Sequence, residues 1–202
     1  PAHTIYFQII PPILSVLIGF LTYKLVVLWK KSKTQALWAT FFVYFAGDFG
    51  WVLTLARGDG FGGESLFWSQ QSVSTLINPP FAISLALILG GLIFLLKVIQ
   101  KFSIRYLVFS ILLFGLLAEI KVYSGILGFS ALVAVLAYYL VSERRITRKS
   151  ISVFFVLAIS AMLSFFLFLP LNSGSQKLVV FQPFWFLETM MAVSDRVGWQ
   201  RF

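Results

Sequence analysis

Long apolar runs separated by short polar stretches dominate the chain, and their lengths predict helices that cross a membrane. A helix that crosses a bilayer needs about 20 mostly apolar residues. The runs predict six spans, at about 5–29, 36–56, 79–96, 106–118, 122–140 and 151–171. We therefore expect an all-α, polytopic membrane domain over residues 1–171, followed by a tail at the outer face over residues 172–202.

The fourth and fifth predicted spans come from one apolar run at 106–139. At about 1.5 Å per residue, a continuous helix of that length would exceed the thickness of a bilayer. Charge interrupts the run around Glu119 and Lys121. This charged pair predicts a turn between two short spans.

Composition agrees with a membrane protein and excludes several other classes. Of the 202 residues, 59% are hydrophobic and 11% are charged, and the mean hydropathy is +0.93. Soluble domains carry roughly a quarter charged residues, so a water-soluble globule is excluded. The chain has no cysteine and a single histidine, His3. A disulfide framework, a cysteine metal site and a metal site with two histidines are therefore excluded, and we predict no metal site.

Positive charge collects on one side of the predicted topology. Eleven of the sixteen basic residues lie in or beside the stretches after the first, third and fifth spans: Lys24, Lys30, Lys31, Lys33, Lys97, Lys101, Arg105, Arg144, Arg145, Arg148 and Lys149. Of the acids, only Glu143 lies with them. Because cytoplasmic loops are enriched in Lys and Arg, this pattern predicts a multi-pass protein of the cell (inner) membrane with both chain ends extracytoplasmic. The net charge of +9 then reflects orientation in the lipid bilayer, and no nucleic-acid partner is expected.

The predicted outer side holds the residues that could bind a substrate. Asp48 lies within the second span, where a carboxylate faces either a substrate cavity or a hydrogen-bonding partner between helices. Lys121, followed by Tyr123, offers a cation to an anionic group such as a lipid phosphate. Alternatively, the lysine extends to the interface and the tyrosine anchors a span end. If the chain is helical here, Glu119 and Lys121 are predicted to point to different sides.

A glycine-rich outer loop at 57–78 carries two further candidates, Glu64 and Trp68. The loop either covers a site, with Trp68 stacking on a sugar or a lipid, or it is a plain connection with an interfacial aromatic residue. At its end, Asn78-Pro79-Pro80 predicts the start of the third span, since proline is accommodated in the first turn of a helix.

Three stretches carry a resemblance to a known superfamily. They are Asn78-Pro79-Pro80-Phe81 with the apolar run after it, the stretch from Phe114-Gly115-Leu116 to Lys121-Val122-Tyr123-Ser124-Gly125-Ile126-Leu127, and Phe168-Leu169-Pro170-Leu171-Asn172-Ser173 running into Phe181-Gln182-Pro183-Phe184-Trp185-Phe186. Together they resemble bacterial membrane proteins of the GT-C glycosyltransferases, the protein-mannosyltransferase-like superfamily, over most of the chain.

The resemblance implies transfer of a sugar from a polyprenyl-phosphate-linked donor to an acceptor at the extracytoplasmic face. Its usual catalytic base, an acid in the first outer loop, is expected before Pro1, so the chain is expected to be a fragment. Glu64 or Glu119 would assist that base. Lys121 would suit the donor phosphate, and either Trp68 or Tyr123 would suit a sugar ring. The sequence identifies no cofactor and leaves open whether the reaction needs a divalent cation.

Two other classes fit the same apolar pattern. A membrane transporter subunit would need polar residues deep in several spans or a repeated pair of broken helices. A non-catalytic multi-pass scaffold would have a dry outer face. An outer cavity lined by Asp48, Glu119 and Lys121 would favour the enzyme over both alternatives.

Overall fold

The structure is a computed structural model that describes residues 2–46, 55–56, 58 and 71–172. All regular secondary structure in these ranges is helical, which confirms the predicted all-α class. The helices are α1 (Ala2–Lys30), α2 (Lys33–Phe45), α3 (Gln71–Ile77), α4 (Pro79–Gln100), α5 (Ile104–Gly115), α6 (Leu117–Ile120), α7 (Val122–Glu143) and α8 (Arg148–Asn172).

Four helices among the described residues are long and apolar enough to cross a membrane. They contain the stretches Gln8–Lys30, Pro79–Gln100, Val122–Glu143 and Arg148–Leu167, which belong to α1, α4, α7 and α8. Large apolar side chains such as Val16, Ile126 and Phe165 are exposed on these helices, as expected where lipid is the solvent.

Helices shorter than a membrane span overlap the second and fourth predicted spans, and residues 47–54 of the second lie outside the described residues. α2 has 13 residues and ends at Phe45, because Ala46 adopts an extended conformation. α5 has 12 residues, a length of about 18 Å, which is less than the hydrocarbon thickness of a bilayer. The six-span count therefore stays a prediction for these two segments.

Local sequence explains where two of the helices begin. Ser32 caps α2 by accepting a hydrogen bond from the backbone N–H of Gln35 at 3.3 Å. Asn78 caps α4 in the same way through Phe81 at 3.2 Å, and Pro79 and Pro80 occupy the first turn, as the sequence predicts.

Small residues allow the helices to approach closely. The apolar core joins α4, α5, α6, α7 and α8 through Leu95, Ile111, Phe114, Leu117, Leu132, Val153 and Val156. Two buried hydroxyls connect neighbouring helices: Ser110 donates to the Gly91 carbonyl at 3.2 Å, and Ser160 donates to the Ile111 carbonyl at 3.1 Å. Interfaces of small residues and hydroxyls are typical of helices packed in lipid.

The chain divides into two compact units, residues 1–168 and 169–202. Within the first unit, contacts place the three basic turns at one end of the helix bundle. The Gln100 side chain donates to the Leu28 carbonyl at 3.3 Å, so the end of α4 lies beside the end of α1. The Arg148 guanidinium lies 4.8 Å from the ring centre of Phe102, which brings the start of α8 to the same end.

Candidate functional site

A helix break at Lys121 lies at the end of the bundle opposite the basic turns. Lys121 has extended backbone angles, φ −161° and ψ 113°, between the end of α6 and the start of α7. Its N–H donates to the Leu117 carbonyl at 2.9 Å, and its carbonyl accepts hydrogen bonds from Ser124 and Gly125 at 3.0 and 3.1 Å. The break is therefore held by backbone hydrogen bonds on both sides, within the stretch where the sequence predicts a turn.

The Lys121 ammonium lies between two aromatic rings. Its Nζ is 5.0 Å from the ring centre of Phe81 and 4.6 Å from that of Tyr123, distances at which cation–π attraction operates. These side chains border a recess of about 450 Å³. The other described residues that line the recess are Ser74, Ile77, Asn78, Pro79 and Pro80.

Hydroxyl groups connect the two helices that carry this site. Ser124 on α7 donates to the Ser84 hydroxyl on α4 at 3.0 Å, and Ser84 donates to the Phe81 carbonyl at 2.8 Å. Ser84 and Ser124 are both buried, so these bonds lie away from solvent. The network holds the first turn of α7, with Tyr123, against the first turn of α4, with Phe81.

Close packing positions α6 as well. A Cβ atom at Gly125 would lie 2.9 Å from the Cα atom of Ala118, and one at Gly128 would lie 2.7 Å from a methyl carbon of Leu117. The two glycines let α7 lie directly against α6, and this contact sets the direction in which the chain leaves the break at Lys121.

Lys121 carries an unneutralised charge among the described residues. The ion pair that the described residues do form joins Lys149 to Glu143, at the basic end of the bundle. Burial lowers the pKa of Lys121 from its ordinary value. An anion bound in the recess would favour the charged ammonium, because opposite charges stabilise each other. Two helices, α4 and α7, also begin here, and the positive ends of their dipoles add to the attraction for an anion.

Glu119 does not line the recess and makes no ion pair with Lys121. One of its carboxylate oxygens, Oε1, is buried without a hydrogen-bond partner. The extended backbone at Lys121 ends the helix before this residue, so the continuous helix on which the expected directions of the two side chains depend is not present.

The other sequence candidates divide into two groups. Lys121 and Tyr123 contact each other, as the cation and one of the rings of a single cluster. Asp48, Glu64 and Trp68 lie outside the described residues. Among the residues that are described, no group of three His, Cys, Asp or Glu side chains could hold a metal ion.

Phe81 is the site residue that the sequence did not single out. Asn78-Pro79-Pro80-Phe81 reads as the start of a helix, and no local pattern connects it with Lys121, forty residues further along the chain. The available signal was the resemblance, because the stretches around Phe81 and Lys121 are two of the three that carry it.

Over the residues that the structure describes, the fold is all-helical, with four helices of membrane-spanning length and a cationic, aromatic recess where two of them begin. Comparisons with protein-family models, with curated proteins and with solved structures find no match to this chain.

Proposed function

We propose that the protein is a membrane glycosyltransferase that transfers a sugar from a polyprenyl-phosphate-linked donor to an acceptor at the extracytoplasmic face. The observation that carries the proposal is the Lys121 ammonium, which lies between Phe81 and Tyr123 without a carboxylate partner in the described part of the chain. A half-buried cation beside an open recess suits a phosphate group that stays in the membrane interface.

The orientation of the bundle supports this proposal. The basic turns lie at one end, and the recess lies at the other. Because Lys and Arg are retained in cytoplasmic loops, the recess would open on the extracytoplasmic side, where lipid-linked sugars serve as donors in the superfamily that the sequence resembles.

The surface of α7 supports a donor with a long apolar chain. Ile126 and Leu127 follow Tyr123 at spacings of three and four residues, so the three side chains share one face of the helix. All three are exposed. A polyprenyl chain could follow this face into the bilayer while its phosphate contacts Lys121 and its sugar packs against Tyr123.

The proposal is tested by measuring how tightly the Lys121→Ala variant binds the lipid-linked sugar donor, with Lys97→Ala as a matched control. Lys97 also contacts two rings, those of Phe94 and Tyr106 at 5.5 and 5.1 Å, but it lies at the basic end of the bundle. We expect Lys121→Ala to weaken binding of the lipid-linked sugar about tenfold or more, because it removes one hydrogen bond to a charged group. Lys97→Ala should change the affinity less than about twofold.

Binding is measured on the purified protein in neutral detergent, with a panel of polyprenyl-phosphate hexoses as probes. Transfer to endogenous acceptors is then measured in membranes that contain the full-length protein. Unchanged binding by Lys121→Ala would remove Lys121 from the site. A wild-type protein that binds none of the lipid-linked sugars and transfers none would contradict the glycosyltransferase function itself.

A further inference from the structure

We infer that the turn between α7 and α8, residues 143–149, binds the phosphate of an anionic phospholipid in the leaflet that surrounds the basic end of the bundle. This site lies at the opposite end from the recess at Lys121, and it does not depend on the proposed transferase activity. The inference depends on the charges of the turn, its geometry and the apolar side chains at its rim.

The charges of the turn are unbalanced. Four basic residues and one acid lie within it: Arg144, Arg145, Arg148, Lys149 and Glu143. The Lys149 ammonium lies 3.2 Å from the Glu143 carboxylate, so the acid is already paired with the lysine. The three arginines make no ion pair among the described residues. Arginine binds phosphate through a planar fork of N–H donors, which suits these unpaired cations to a lipid phosphate.

The backbone of the turn is held in place before any ligand binds. Arg144 ends α7 in the left-handed region, at φ 48° and ψ 19°. The Thr147 N–H donates to the Ser150 hydroxyl at 2.9 Å, and the Ser150 N–H donates to the Thr147 hydroxyl at 3.4 Å. The Arg148 guanidinium is held over the Phe102 ring at 4.8 Å. These contacts border a recess of about 530 Å³, which is lined by Arg145, Thr147 and Arg148 together with the ion-paired Glu143 and Lys149.

Exposed apolar side chains favour a lipid over a soluble anion. Ile146, between Arg145 and Thr147, is 75% exposed, and Phe102 beside Arg148 is 43% exposed. An exposed apolar side chain beside cations is typical of segments at the boundary between head groups and acyl chains. A basic pocket between helices, at the end of a membrane protein that carries its basic turns, matches the head group of an anionic lipid.

The turn between α1 and α2 provides a matched comparison. It carries Lys30 and Lys31, and the Lys30 ammonium lies 4.0 Å from the ring centre of Trp29. Its lysines present point charges without the planar fork of arginine. A general attraction of cations for anionic lipid would involve both turns, whereas the inferred site involves only the turn between α7 and α8.

The experiment measures the number and affinity of bound lipids by native mass spectrometry of the delipidated full chain in neutral detergent. The probes are phosphatidylglycerol, phosphatidylcholine and soluble glycerol phosphate. We expect the wild-type protein to prefer phosphatidylglycerol over phosphatidylcholine, with little competition from glycerol phosphate. The double variant Arg145→Gln/Arg148→Gln should weaken phosphatidylglycerol binding about tenfold or more, and Lys30→Gln/Lys31→Gln should change it less than about twofold.

A second double variant, Arg145→Lys/Arg148→Lys, keeps the charge and removes the guanidinium fork, and we expect it to bind with intermediate affinity. Thermal unfolding of every variant in the same detergent establishes that it is folded. Wild-type affinity in the Arg145→Gln/Arg148→Gln variant would overturn the inference. An equal loss in the Lys30→Gln/Lys31→Gln variant, or equal binding of both lipids, would overturn it too. Full competition by glycerol phosphate would show that the turn binds a free anion instead.

Discussion

Gly91 lies against the buried ring of Phe114, and a Cβ atom there would be 2.8 Å from the ring. The neighbouring Gly90 faces a methyl group of Leu113, which its Cβ would meet at 3.2 Å. The two glycines are adjacent in sequence, but they differ in what they face. A ring packed in the core cannot move aside as easily as the end of a leucine side chain.

We expect Gly91→Ala to lower the free energy of unfolding by about 1–3 kcal/mol, because the added methyl overpacks the core between α4 and α5. Gly90→Ala should be neutral or slightly stabilising, since alanine is the better helix former. Unfolding in neutral detergent, followed by circular dichroism, gives both values. Equal effects of the two substitutions would contradict the packing shown for Gly91.

Lys121 shows how much could be predicted about single residues. Its charge inside an apolar run and the tyrosine two positions later are visible in the sequence, and they led to an anion-binding hypothesis. The contact with Phe81 is not visible, because it depends on how α4 and α7 pack. The sequence left two interpretations of Lys121 open, and the structure adds that its ammonium lies between two rings beside a recess.

Gly125 of α7 packs directly against Ala118 of α6, across the break at Lys121. A Cβ at Gly125 would lie 2.9 Å from backbone and side-chain atoms of Ala118, so α6 would have to move. At Gly128, the added atom would meet the end of the Leu117 side chain, at 2.7 Å. Substitution at Gly125 should therefore displace a helix, whereas substitution at Gly128 displaces a side chain.

We expect Gly125→Ala to destabilise the protein by about 1–3 kcal/mol, and by more than Gly128→Ala. It should also shift Tyr123 relative to Phe81 of α4, since Tyr123 lies directly after the break. Unfolding in detergent measures the stability difference, and a single fluorine label on Tyr123 reports its surroundings by nuclear magnetic resonance. A larger loss for Gly128→Ala, or an unchanged label signal in Gly125→Ala, would contradict the role given to Gly125.

Helix boundaries were predictable where a local signal exists. Asn78-Pro79 marks the start of α4, and the charged pair around Ile120 marks the break before α7. The end of α2 at Phe45 was not predictable, because the apolar pattern continues through the sequence beyond it. Likewise, the apolar run at 106–118 indicates a span, but α5 ends at Gly115, where the chain packs against Leu163 of α8.

The bundle as a whole has a basic end and an end that holds the recess, and α7 runs from the recess end to the basic end. Tyr123 is exposed near the start of α7, at the recess, and Ser142 is exposed near its C-terminus, at the basic end. If the basic turns are cytoplasmic, these two positions lie on opposite sides of the membrane. The absence of cysteine from the chain makes an introduced thiol unique.

We expect Tyr123→Cys to react with a membrane-impermeant maleimide in intact spheroplasts, and Ser142→Cys to react only after permeabilisation. The degree of labelling is measured by mass shift, with detergent-solubilised protein as the reference for full reaction. The reverse pattern would place the recess in the cytoplasm and would contradict the orientation in the proposed function. Labelling of both positions in intact spheroplasts would contradict a membrane crossing by α7.

The amino-acid sequence alone predicts apolar helices, an interruption of the run at 106–139, and basic residues after the first, third and fifth predicted spans. These properties follow from run length, proline position and charge, which are local features of a chain in lipid. The contact of Lys121 with Phe81, the hydrogen bond from Ser124 to Ser84 and the contact of Arg148 with Phe102 are visible only in the folded protein. Contacts between helices depend on where small residues allow close approach, and no periodicity along one helix specifies the residue that it will face on another.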